Sequence, residues 1–136
     1  MIIISVDLGK ARTGLAISDK TGFLASPLYT IDEKSPSRIL KKVAKAVNDN
    51  NAQLIVVGLP KNMDGSEGES AQRCREFADS LSELTGVKTV MQDERGTTIT
   101  AHGYLSARDV KGKKRKAQVD TVAAAIILQD YLDSNR

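Results

Sequence analysis

The sequence predicts an α/β fold, a mixed sheet entered through three antiparallel strands and continued by parallel ones, with helices packed on both faces. Two observations carry this. Short apolar runs, mostly β-branched, stand at Ile2 to Val6 and at Leu54 to Val57, as expected of strands buried on both sides. Amphipathic helical stretches separate the later strands, and a helix that joins two strands of one sheet makes them parallel. With 136 residues the chain is long enough for one domain, 1–136, with its own core. A 40% hydrophobic and 27% charged composition excludes a disordered chain.

The elements follow in the order β-β-β-α-β-α-β-α. The first strand, Ile2 to Val6, delivers Asp7 at its end. Leu15 and Ile17, then Phe23 to Ile31, suggest two further strands, with the Asp and Gly of a hairpin turn at Asp19-Lys20-Thr21-Gly22 between them. Ser35-Pro36 signals a helix start, a capping hydroxyl before proline at the first helical position. Ile39, Leu40, Val43, Ala44 and Val47 then recur on one face to about Asn50. After Leu54 to Val57 comes a loop from Gly58 to Gly68. A second helix follows, carrying Ala71, Cys74, Phe77, Ala78, Leu81 and Leu84 to a stop at Gly86. Val87 to Met91 makes the last strand. A shorter helix from Thr97 or Thr98, with Ala101, Tyr104 and Leu105 inward, then a basic loop, and a final helix from about Ala117 to Leu132 complete the chain.

No apolar run is long enough to span a bilayer, and no basic segment precedes the first apolar run, so a cytoplasmic protein is expected. The single cysteine, Cys74, cannot form an internal disulfide and falls at a core spacing. Net charge is only +3, but Arg108 to Lys116 reads R-D-V-K-G-K-K-R-K, six cations against one Asp. Such a block suits either a phosphate backbone or a solvated loop.

Ligand sites of open α/β sheets lie off the carboxyl ends of the parallel strands. Three such ends carry Asp7, Gly58-Leu59-Pro60 and Asp93-Glu94-Arg95, so carboxylates should meet at one edge of the sheet. Which of Asp93 and Glu94 faces the site is left open, since neighbouring strand residues point to opposite faces. On the last helix Asp120 points within roughly 60° of Ala123, Ala124, Ile127 and Tyr131, toward the apolar side. A carboxylate there needs a partner, either a hard cation or a salt bridge to Arg12 or Arg115. Small Ala123 and Ala124 would let the helix approach the sheet and bring Asp120 toward Asp7. Oxygen-only ligands favour Mg²⁺ or Mn²⁺ over zinc, and the only histidine, His102, has no second soft ligand beside it. Two such ions bridged by carboxylates can hydrolyse a phosphodiester.

Asp7-Leu8-Gly9 with Arg12-Thr13-Gly14-Leu15-Ala16, Gly58-Leu59-Pro60-Lys61-Asn62-Met63-Asp64-Gly65-Ser66, Asp93-Glu94-Arg95, and Lys113-Lys114-Arg115 with Val119-Asp120 resemble, in order and over almost the whole chain, the YqgF family. The resemblance implies an RNase H-like fold and a metal-dependent nuclease with Asp7, Glu94 and Asp120 as its catalytic, metal-binding triad. It also implies work on structured nucleic acid: 5′-end maturation of pre-16S rRNA in a pre-ribosomal particle, or resolution of Holliday junctions. The sequence departs from the family at Gly96, usually apolar, and at Leu8, frequently aromatic.

Around such a centre Arg12, Lys61, Arg95, Lys113, Lys114 and Arg115 would neutralise phosphates. Asn62, Asp64 and Ser66 would contact sugar or phosphate oxygens, or else serve the turn they stand in. Gly9 and Gly14 mark either a close approach to phosphate or metal, or ordinary turns. With no Trp and few aromatics, recognition by shape and phosphate is expected over base stacking. Two rivals are carried forward, an ATP-handling domain built on D-x-G-x-x-x-x-G, and a non-catalytic RNA-binding module of ribosome assembly.

Overall fold

The computed structural model describes residues 1–94 and 112–135. Five strands, β1 (Ile3–Leu8), β2 (Thr13–Ser18), β3 (Ala25–Ile31), β4 (Leu54–Leu59) and β5 (Lys88–Asp93), form one sheet in the order β3-β2-β1-β4-β5. The first three make the antiparallel meander, while β1, β4 and β5 run parallel, as their helical connections require. Helices α1 (Pro36–Asp49) and α2 (Glu69–Thr85) cover one face and α3 (Gly112–Ser134) the other.

Strand alternation divides the core accordingly. Ile4, Val6 and Leu8 of β1, with Leu15, Ile55 and Val57, pack under α1 and α2. Ile3, Ala16, Leu54 and Val56 pack under Ala124, Ile127 and Leu128 of α3. Cys74 is buried in the α1/α2 layer, where burial above all, with the nearby charge of Glu94, pushes its thiol up to about 12. It is a packing residue there and not a nucleophile at neutral pH.

Strands β1, β4 and β5 each run two residues beyond the end read from the sequence, and three further details differ from that reading, each for a local reason. Strand β3 starts at Ala25 because the Asp19 carboxylate accepts the hydroxyl of Thr21 and the amide of Phe23, holding the turn through Leu24 and leaving Phe23 and Leu24 more than half exposed. Ser35 does precede Pro36 at the start of α1, yet its hydroxyl faces that of Ser37 at 3.2 Å and does not cap the helix. Helix α3 begins at Gly112, so residues 113–116 occupy its first turns and not a loop. Lys, Arg and Ala are good helix formers, which favours this earlier start. The short helix expected from Thr97 or Thr98, together with Arg95, Gly96 and His102, lies outside the described residues.

Helix α3 lies in direct backbone contact with the sheet. The buried Ser5 hydroxyl donates to the carbonyl of Ala124 at 2.7 Å. A Cβ on Gly14 would land on the backbone carbonyl of Asp120, so that strand position has room only for hydrogen. Gly14→Ala is therefore expected to push α3 off β2 and cost about 3 kcal/mol, the upper range for overpacking. That corresponds to a drop in melting temperature of roughly 10 °C, measurable by thermal unfolding. An unchanged melting temperature would show that the helix can shift without loss.

Candidate active site

Asp7 is the fifth residue of β1 and projects from the α3 face, with Ile3 and Ser5. Strand β4 lies beside β1, and β5 beside β4, so the residue following β5 is two strands from Asp7. Glu94 closes that gap. Its amide donates to Leu59 O at 3.1 Å, extending the β4/β5 ladder by one residue. The side chain then passes over Gly58, where a Cβ would come within 2.6 Å of Glu94 Oε2 and 2.8 Å of Ile127 Cδ1. A glycine inside a strand often marks such a close approach, and Gly58 is the signal from which this path could have been read.

The carboxyls of Asp7 and Glu94 are hydrogen-bonded to one another. Burial raises Asp7 to about 6; the bond from Glu94 opposes that rise and the charge of Asp120 adds to it. Burial, then the charge of Asp7 and the bond to it, then the charge of Asp93, push Glu94 up to about 9. At neutral pH Glu94 is thus the protonated partner, its O–H donating to the Asp7 carboxylate. Of the adjacent acids left open by the sequence, it is Glu94 that meets Asp7.

Asp120 reaches the same end of the sheet from α3, on the apolar side of its helix with Ala123, Ala124 and Ile127. Its partner is Arg12, whose Nε donates to Asp120 Oδ2 at 2.7 Å, with side chains 31% and 17% exposed respectively. Of the two partners weighed for Asp120, the chain itself supplies the salt bridge. Arg12 is placed for this by the turn after β1, closed by Gly9 N to Arg12 O at 3.0 Å. Gly9 thus serves a turn and Gly14 a helix contact.

The loop after β4 is braced internally. Asn62 Nδ2 donates to Ser66 Oγ, and Ser66 donates through both its amide and hydroxyl to Asp64 Oδ1. The backbones of Lys61 and Glu67 form an isolated antiparallel β-bridge, and the Glu67 carboxylate accepts two bonds of 2.9 Å from Arg75. The polar side chains of Asn62, Asp64 and Ser66 therefore hold the turn, the alternative already attached to them. Residues 113–115 are placed only as part of the first turns of α3. Arg73, missed in the sequence because it lies on the exposed side of an amphipathic helix, donates to Leu8 O at 3.2 Å and Gly9 O at 3.0 Å, just past Asp7.

The donor set, three carboxylates with no soft ligand, is chemically suited to a hard divalent cation. As the side chains stand, among the described residues no three acidic, histidine or cysteine groups form one cluster that could hold an ion. Asp7 and Glu94 share a proton and Asp120 holds Arg12, so the negative charge gathered here is met from within the chain.

A five-stranded mixed sheet of this order, with its acids converging off β1, β5 and the last helix, is an RNase H-like fold. Chains of that fold include the RuvC of Thermus thermophilus in complex with a Holliday junction substrate, which shares 13% identity at a TM-score of 0.63 over 98% of this chain and 94% of that one. A fowlpox virus resolvase, crystallised with junction DNA, gives a TM-score of 0.58 at 14% identity, covering 98% of each chain. The protein belongs to the RuvX family, described as Holliday junction resolvase, whose family model matches residues 1–134. Relatives from Chloroflexus aurantiacus (42% identical, covering 99% of this chain and 88% of theirs) and Shouchella clausii (45%, covering 98% and 95%) carry the name "Putative pre-16S rRNA nuclease".

Proposed function

We propose that this protein is a nuclease dependent on Mg²⁺ or Mn²⁺ that hydrolyses phosphodiester bonds in structured RNA, acting in the cytoplasm on the 5′ end of pre-16S rRNA in a pre-ribosomal particle. The observation that carries the reading is the convergence of Asp7, Glu94 and Asp120, acids remote along the chain, at one end of the sheet. Two carboxyls buried against each other without a specific use are costly, and here they are held together only by a shared proton. Asp7, Glu94 and Asp120 would hold the cation, which when bound favours attack of water on phosphorus and stabilises the departing oxygen. Arg12 neutralises Asp120 in the free protein and has further N–H donors with which to meet a phosphate. Lys61 and Arg95, with Lys113, Lys114 and Arg115 near the start of α3, would bind flanking phosphates, a helix N-terminus being itself suited to anions.

The family description and the curated relatives favour different substrates, so cleavage of a four-way DNA junction is the second reading. No helix among the described residues is long and apolar enough to cross a membrane. Incubating the protein with Mn²⁺ or Mg²⁺ and either a pre-16S leader RNA or a four-way junction, then mapping products, separates the readings. Cuts at one position of the RNA leader with the junction intact are expected. Paired cuts in the junction with intact RNA would transfer the proposal to DNA, and binding of both without a cut would make the protein a non-catalytic assembly module.

A further inference from the structure

On the opposite side of the sheet from the three acids, below the same turn after β1, the structure has a cavity of about 360 Å³. That size is within the range of small-molecule sites. Strand alternation separates it from the acids: Leu8 lines it and packs with the α1/α2 core, whereas Asp7 projects from the other face. Ile39 and Leu40 of α1 and Phe77 of α2 give it apolar walls. Lys10, Lys34 and Arg73 stand at its edge, all three exposed, and none of them is in an ion pair among the described residues. The one acid in the lining, Glu76, accepts from Gln72 at 3.3 Å. Helix α1 opens onto the cavity at Pro36 and Ser37 with no side chain capping its first turn; the Glu33 carboxylate just before it accepts from the amides of Lys34 and Ser35 and is itself balanced by Arg38 and Lys42.

Three cations beside an uncapped helix start call for a phosphate, and the apolar walls with one aromatic ring call for a body larger and less polar than the phosphate. We propose that this cavity binds a nucleoside phosphate, with its phosphate between Lys10, Lys34 and Arg73 and its base against Phe77 and Leu40. An acidic peptide would satisfy the cations but leave the ring and aliphatic walls without a planar partner. The inference goes beyond the nuclease reading, because it uses none of the three acids. The ligand is either a free mononucleotide or the 5′-phosphorylated end of a strand. In both cases it would sit within reach of Arg73, which is bonded to the backbone just past Asp7, so binding would be felt at the turn that positions Arg12.

The test is NMR titration of the isotopically labelled full chain without divalent metal, using adenosine 5′-monophosphate, inorganic phosphate, a 5′-phosphorylated tetraribonucleotide and a tetraglutamate peptide as separate probes. The mononucleotide is expected to shift the resonances of Phe77, Leu40 and Lys34. Lys34→Glu, a change at an exposed side chain, should weaken that binding by roughly tenfold or more, and Phe77→Leu should weaken it without altering the response to phosphate. Matching shifts from the tetranucleotide would identify a strand end as the ligand, and shifts from the mononucleotide alone would identify a free nucleotide. Equal affinity for inorganic phosphate or for the peptide would overturn the proposal. So would mononucleotide shifts centred on Asp7 and Asp120, or undiminished binding by Lys34→Glu. Since no cleavage is measured, this result is independent of whether the acids hydrolyse anything.

Discussion

Asp7→Asn is expected to lower the rate of RNA cleavage by about a thousandfold or more, while the protein stays folded and binds its substrate at least as tightly. Asn has the shape of Asp and can still hydrogen-bond Glu94, so the strand and its neighbours have no reason to move. What it lacks is the charge. Of the three acids Asp7 is the one coupled to both others, bonded to Glu94 and feeling the charge of Asp120, so its loss removes the centre of any cation site. The same change relieves the cost of burying a carboxylate, and the metal-free variant should therefore melt above wild type near neutral pH. Lower negative charge at the site also reduces repulsion of phosphates, which is why binding should persist or tighten. Single-turnover cleavage, filter binding and thermal unfolding of the same preparation read the three effects separately. Cleavage at wild-type rate by a folded Asp7→Asn protein would remove the acids from the mechanism altogether.

How much of this site the sequence discloses depends on whether a local pattern or a distant partner decides each position. Asp7 and Asp120 were legible because periodicity is a local property: the end of an apolar run delivers one, and the angular place among Ala123, Ala124 and Ile127 delivers the other. The choice between Asp93 and Glu94 was not, since it turns on where the ladder to Leu59 ends and on the space left by Gly58, two residues of another strand. The start of β3 was misplaced for a similar reason, a carboxylate at Asp19 reaching forward to Phe23. The sequence offers Asp120 either a cation or a bridge to Arg12 or Arg115, and choosing Arg12 needs the fold, since the two residues stand 108 positions apart. Asn62, Asp64 and Ser66 show the limit of reading polar loops, for the same side chains that could meet a ligand can satisfy one another. The cavity edged by Lys10, Lys34 and Arg73 joins three separate segments, and no single stretch of sequence announces it.

Cation binding at this site should strengthen steeply with pH, by close to tenfold per unit between about pH 6.5 and 8.5, and level off above about 9. The sign follows from the protons. An ordinary carboxyl releases its proton near 3.8 for Asp and 4.5 for Glu, whereas in the folded chain Asp7 holds its proton to about 6 and Glu94 to about 9. Between those limits the folded state binds more protons than the unfolded one, so the metal-free protein should lose stability as pH rises through the window. A divalent cation favours both groups ionised and must displace the proton that Glu94 keeps, so its apparent affinity gains what the proton loses. The bridge between Arg12 and Asp120 must open as well, but a guanidinium stays charged throughout and adds no slope. Titration calorimetry with Mn²⁺ near pH 7.5, in two buffers of different ionisation heat, should report close to one proton released per chain. Glu94→Gln carries no such proton, and its weaker affinity should lose most of the pH dependence, as should its metal-free melting temperature. Mn²⁺ affinity independent of pH across this range, with no proton released, would mean that the cation is held somewhere other than between Asp7 and Glu94.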